Sequence, residues 1–191
     1  MIDHVANQLA ETMRSLPFIS LSGGVARAQK IKDGDGVRTL PAFQRPDGSS
    51  TYTWLTPSSK EVGIAYFENL GNDLDSSLSG GRGQMYRATL RVVVWLNLSR
   101  INPADVGAMM SQTVAALTGA VVESQYVQSV RIVPIREVPR TAEIFSKYTY
   151  NESETQYLML PYDYFAFDFD VRYVLNASCH LTNFAKKDPS C

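Results

Sequence analysis

The run from Tyr162 to Asn176 constrains the chain most, because Phe165, Phe167, Phe169, Val171, Tyr173 and Leu175 occupy alternate positions in it. Ala166, Asp168, Asp170, Arg172 and Val174 fall between them, so a strand here has one apolar face and one largely polar face. Such a strand is buried on one side and needs a sheet around it, with a helix or second layer against its apolar face.

Two further segments fit that sheet. Gln84–Leu98 places Tyr86, Ala88, Leu90, Val92, Val94, Leu96 and Leu98 on one face, and Arg87, Thr89, Arg91, Val93, Trp95 and Asn97 on the other. Val127–Val138 alternates again and stops at Pro139. Ile2, Val5, Ala6, Leu9, Met13 and Leu16 recur at helical spacing, which predicts an amphipathic helix over residues 3–15, closed by Pro17. Asn102-Pro103-Ala104-Asp105 opens a second helix, since Asn caps and Pro suits the first helical position. Val106, Met109, Met110, Thr113, Val114 and Leu117 carry its stripe to Gly119.

The remaining segments read as hairpins and loops. A short strand is expected over Phe18–Ser22, a turn at Gly23-Gly24, and a second strand over Val25–Lys32. After the turn Asp33-Gly34-Asp35-Gly36, Val37–Phe43 is extended but interrupted by Pro41. Arg45-Pro46-Asp47-Gly48 is turn chemistry, and Tyr52, Trp54 and Leu55 return the chain. Residues 60–70 read as extended. Gly71–Gly83, rich in Gly, Ser and Asp, reads as a flexible loop. A short helix is expected to start at Thr141. The expectation is one α+β domain over residues 1–191: a mostly antiparallel sheet with two helices packed on it, a hairpin excursion over about 23–56 and a loop over about 71–84.

With 191 residues, 45% of them hydrophobic and 19% charged, the chain has the means for one sizeable core. A formal charge of -1 supplies no field to grip nucleic acid or an acidic membrane. Met1-Ile2-Asp3-His4-Val5 lacks the pattern of a secretory signal, and no run is long enough to span a bilayer, so the chain is expected to be made in the cytoplasm. Cys179 and Cys191 are the only cysteines, and a disulfide between them has little support.

Possible sites read mostly as structure. Asp33-Gly34-Asp35-Gly36 begins like a calcium loop but continues with Val37, Arg38 and Gln44 where oxygen ligands and glycine are needed, which leaves a hairpin turn. Asp168 and Asp170 share the polar face of the last strand with Arg172, while Arg87 and Arg91 share that of Gln84–Leu98. The expectation is cross-strand ion pairing between exposed groups, worth about 0.2–1 kcal/mol a pair. Gly80-Gly81-Arg82-Gly83 precedes a strand rather than a helix and so is not a phosphate loop; Arg82 and Arg87 would anchor a partner-contacting loop. His4 and His180 stand at opposite ends of the chain, with only Cys179 beside one of them. Tyr148, Tyr150, Tyr157, Tyr162 and Tyr164 suit either an interface or the core. No enzyme signature, metal site or cofactor site emerges.

The order of elements, from the helix at Ile2–Leu16 through Gln84–Leu98 and Pro103–Leu117 to Tyr162–Leu175, resembles the small neck and tail-completion proteins of long-tailed bacteriophages, the tail-terminator class in particular. Thr155-Gln156-Tyr157-Leu158-Met159-Leu160-Pro161-Tyr162-Asp163-Tyr164 is similar to segments of such virion proteins. The resemblance implies a structural, non-enzymatic subunit of the virion neck or tail. Copies form a ring, usually a hexamer, that caps the tail-tube protein, joins it to head-side connector proteins and passes DNA only as cargo. Arg82, Arg87, Arg91, Tyr148, Tyr150 and Tyr157 are its candidate assembly contacts. The alternatives are a small soluble ligand-binding domain or enzyme that gathers Asp168, Asp170, Arg87, Arg91 and His180 around a pocket, and an adaptor that binds one partner through residues 148–164.

Overall fold

The computed structural model describes residues 2–33, 36–44, 51–77, 83–122 and 127–176. Helix α1 (Ile2–Arg14) is followed by β1 (Leu21–Val25), β2 (Arg27–Asp33), β3 (Gly36–Gln44), β4 (Tyr52–Trp54), β5 (Gly63–Ser77) and β6 (Gly83–Asn97). Helix α2 (Val106–Thr118), strand β7 (Val127–Val138), the short helix α3 (Glu152–Thr155) and strand β8 (Tyr162–Asn176) complete the order. The main sheet runs β1-β5-β6-β8-β7, with β1 parallel to β5 and all other pairs antiparallel; β2, β3 and β4 form a separate antiparallel sheet. The fold is therefore α+β with an antiparallel-dominated sheet, as the alternating segments predict.

The alternation of β6 and β8 sorts their side chains into two cores. On one face Ala88, Leu90, Val92, Val94, Leu96, Phe165, Phe169, Val171 and Tyr173 meet the stripes of α1 (Val5, Ala6, Leu9, Met13) and α2 (Val106, Met109, Leu117). Asn102 caps the turn before α2 by accepting a hydrogen bond from the Ala104 amide at 3.2 Å. On the other face Val93, Trp95, Tyr66 and Ala166 meet Phe43, Leu55, Ile144, Phe145 and Tyr148. This second core fastens residues 141–162 and the small sheet to the main one. The Thr149 amide donates to the Thr39 carbonyl at 2.7 Å, and Arg38 pairs with Glu154, which also closes the capping box of α3 with Asn151. The expected helix at Thr141 is a single 3-10 turn over Ala142–Phe145.

Four expectations need correction: the strand expected over Phe18–Ser22 begins only at Leu21 and runs to Val25, and three further segments differ. Gly23-Gly24 is strand, not turn: both lie in β1, squeezed between layers, where a Cβ would come within 2.7 Å of Phe43 Cδ1 and 1.9 Å of Asn7 Oδ1 respectively. Pro41 does not interrupt β3, which continues to Gln44; the Pro41 carbonyl accepts from the Leu55 amide at 2.9 Å. The loop placed at 71–84 is strand through Ser77, paired with β6 as far as Ser77↔Gln84. Bulges at Asn69/Gly71 and Leu74/Ser76 absorb its Gly- and Ser-rich sequence, leaving only 78–82 of that stretch outside the described residues. The turn at 45–48 also lies outside them, as do His180, Cys179 and Cys191.

Gly63 opens β5 against the Phe18 carbonyl, which a Cβ would approach to 2.2 Å. Because that neighbour is backbone, Gly63→Ala is expected to destabilise the fold by about 1–3 kcal/mol, measured as a lowered urea midpoint with an unchanged slope.

Candidate functional site: a charge row across the sheet

The polar face of the sheet carries its charges in register. Glu68 on β5 stands opposite Arg91 on β6, Arg91 opposite Asp168 on β8, and Asp168 opposite Arg136 on β7. The last pairing depends on the bulge between Pro134 and Arg136, without which Ile135 would face Asp168. Arg91 holds Asp168 with two donors, Nε to Oδ1 at 2.8 Å and Nη2 to Oδ2 at 3.2 Å, while Arg136 Nε donates to Oδ2 at 2.8 Å. Asp168 is 2% exposed and Arg91 half-buried, so their pair is more interior than the exposed contact expected from sequence, while Arg136 closes the row from the exposed side.

Glu68, 3% exposed, is also fully engaged: Lys147 Nζ donates to Oε2 and the Tyr148 hydroxyl to Oε1, each at 2.9 Å. One level along the strands, Asp170 accepts from Arg87 Nε at 2.7 Å and Arg172 Nε at 3.2 Å, bridging two arginines that face each other across the β6–β8 ladder.

The tyrosines cluster beside Glu68. Tyr148 is buried, packs edge-on to Tyr66 at 6.3 Å and tilts against Tyr150 at 6.4 Å. The Tyr157 carbonyl accepts from Trp95 Nε1 at 2.6 Å, and its ring meets Tyr162, which stacks on Trp95 with centroids 5.2 Å apart. Of the candidate contact residues, Tyr148, Tyr150 and Tyr157 thus belong to the second core, Arg91 is half-buried in the charge row, Arg87 is exposed, and Arg82 lies outside the described residues. His4 sits in α1, on the other side of the sheet from Asp168, where burial and the nearby N-terminus lower its pKa.

Burial works to raise the Asp168 carboxyl, but hydrogen bonds from Arg91 and Arg136 outweigh it and hold the group below the usual aspartate range. A general acid or base working near neutrality needs the opposite shift. An open cavity of about 460 Å³ lies beside the row, lined by Arg91, Thr141, Glu143 and Ser146 among others, with the Arg91 guanidinium already committed to Asp168. The ion pairs tie β6, β8 and β7 to one another, while Glu68 on β5 is held by Lys147 and Tyr148 from the segment that covers this face.

Tyr66, Tyr148 and Tyr150 have pKa values pushed up, chiefly by burial and secondarily by neighbouring acids and phenols. In the unfolded chain they ionise near pH 10, while in the fold they stay neutral. Their contribution is complete below that value and is lost as pH rises above it, at up to about 1.4 kcal/mol per pH unit for each tyrosine. Urea titrations across that alkaline range should show a falling midpoint, with a shallower fall in Tyr150→Phe.

Sequence reasoning identified Asp168, Asp170, Arg87 and Arg91 as ion-pairing groups but missed Glu68, Arg136 and Lys147. Glu68 alternates with Ile64 and Tyr66, which was signal enough to place it on the inner face. Its partners are remote in sequence. No protein-family model matches the chain, and no curated protein matches it significantly. No helix among the described residues is long and apolar enough to cross a membrane.

Proposed function

We propose that this chain is a structural subunit of the neck or tail of a tailed bacteriophage, a ring-forming protein of the tail-terminator class. It assembles with itself, caps the tail-tube protein, presents its other surface to head-side connector proteins, and carries out no chemistry on the DNA that passes through. The observation that carries this reading is the pair of long, unlike sheet edges, β5 beyond Phe67 and β7, on a sheet whose interior charges are matched to one another. A subunit that closes into a ring by a heterologous contact needs two different surfaces that fit each other, and such edges provide them. The order of helices and strands supports the same class.

The test is tube capping. The purified chain, added to polymerising tail-tube protein of its own phage, should arrest tubes at short, uniform length with the added chain at one end by electron microscopy. Tubes of unchanged length with no end density contradict the reading.

A further inference from the structure

Resting on the ring reading, we infer that the copies join by laying β7 of one subunit against the outer edge of β5 of the next, with Arg131 meeting Asp73 and Asp75. Strand β1 pairs with β5 only as far as Val25↔Phe67, whereas β5 runs to Ser77. Beyond Phe67 the main sheet is therefore four strands wide among the described residues, with β5 at one edge and β7 at the other.

The two edges differ in charge at the same level of the sheet. By register, Asp73 on β5 faces Arg87, Arg87 faces Arg172, and Arg172 faces Arg131 on β7. Asp170 serves Arg87 and Arg172. Among the described residues Arg131 has no carboxylate partner and Asp73 and Asp75 have no cation in an ion pair, although Arg87 feels both acids. One edge thus carries a surplus cation and the other surplus anions, all exposed. A neighbouring copy supplies what each lacks, and the alternation seen inside the subunit in Glu68, Arg91, Asp168 and Arg136 continues across the boundary.

Two further features fit. Both edges leave a large apolar side chain open within this contact: Leu74 at 56% on β5 and Val133 at 38% on β7. The β7 strand runs opposite in direction to β5, because the three pairings between them are all antiparallel, so a neighbour in the same orientation continues the sheet antiparallel. Pro134 and the adjacent bulge interrupt the β7 edge, which confines the regular contact to the segment before it, centred on Arg131. The unlike edges make the contact heterologous, so it propagates head to tail until the ring closes.

The experiment compares four proteins by native mass spectrometry and light scattering at low salt: the natural chain, Arg131→Glu, Asp73→Arg with Asp75→Arg, and the triple variant carrying all three changes. These side chains are exposed, so thermal unfolding of the dissociated subunits should shift little, slightly downward where Asp73→Arg and Asp75→Arg set arginines beside Arg87. The natural chain should form a discrete assembly. Each partial reversal places like charges together and should raise the subunit dissociation constant by at least about a hundredfold, while the triple variant restores opposite charges and recovers assembly. Partial reversals that assemble like the natural chain, or a triple variant that stays apart, overturn this interface and leave the ring reading standing. A natural chain that is monomeric overturns the ring reading and the interface with it.

Discussion

Asp168→Ala is expected to cost about 3–5 kcal/mol, because it leaves Arg91 half-buried beside an uncharged site. The loss comes from the stranded guanidinium more than from the missing attraction, since removing two paired charges together and filling the space with apolar groups is often neutral. Arg91→Met combined with Asp168→Leu should therefore recover most of the stability lost in Asp168→Ala. Recovery that fails by several kcal/mol would mean that the row contributes attraction beyond its own desolvation. The acid dependence has a defined sign. The Asp168 carboxyl sits below its ordinary value, so its contribution is in place above about pH 4 and is lost as pH falls through the lowered value. The gap in unfolding free energy between the natural chain and Asp168→Asn should narrow below that pH and hold constant above it.

Trp95→Ala is expected to cost about 3–5 kcal/mol. Trp95 is 1% exposed at the centre of the second core, stacks on Tyr162 and donates to the Tyr157 carbonyl, so one side chain fixes the segment 141–162 to the sheet by area, stacking and a hydrogen bond. The helices lie on the opposite face and depend on other residues. Unfolding should thus be accompanied by earlier proteolytic cleavage within 141–161, while far-ultraviolet circular dichroism from α1 and α2 persists at temperatures where that segment has opened. Trp95→Phe keeps the ring area and loses the donor; about 1–3 kcal/mol of the cost should remain, reflecting the unsatisfied Tyr157 carbonyl.

Residues whose neighbours alternate cleanly were legible from sequence. Phe165, Phe169, Val171 and Tyr173 announced β8, and Leu90, Val92, Val94 and Leu96 announced β6, because period-2 burial records the layer that covers a strand. The α1 stripe was equally direct. The stretch Gly71–Ser77 was misread because Gly, Ser and Asp favour loops locally, whereas here the fifteen residues of β6 hold them in place through tertiary pairing. The length of β6 itself asked for a partner as long, and that was a usable sign. Gly23 and Gly24 were misread for a related reason, since glycine marks close approach of layers as readily as a turn.

The charge row was half legible. Alternation placed Asp168, Asp170, Arg87 and Arg91 on polar faces, but it could not say which strands would be neighbours. The β8 strand lies between β6 and β7 although it follows both in sequence, so Arg136 and Asp168 become partners only once that order is known. The bulge that brings Arg136 into line is likewise invisible to a count of alternate residues. Glu68 gains Lys147 and Tyr148 from a segment that crosses the sheet far along the chain. Tyr148, Tyr150 and Tyr157 illustrate the ambiguity of an amphipathic residue, for the same ring serves a surface or a core, and packing against Tyr66, Phe145 and Tyr162 decided for the core.

Self-association through unlike sheet edges is the central claim, and native mass spectrometry of the purified chain tests it without any partner present. It predicts a single closed assembly, a small whole-number multiple of the subunit mass, that does not grow as concentration rises. A monomer that persists at every concentration and at low salt would contradict it.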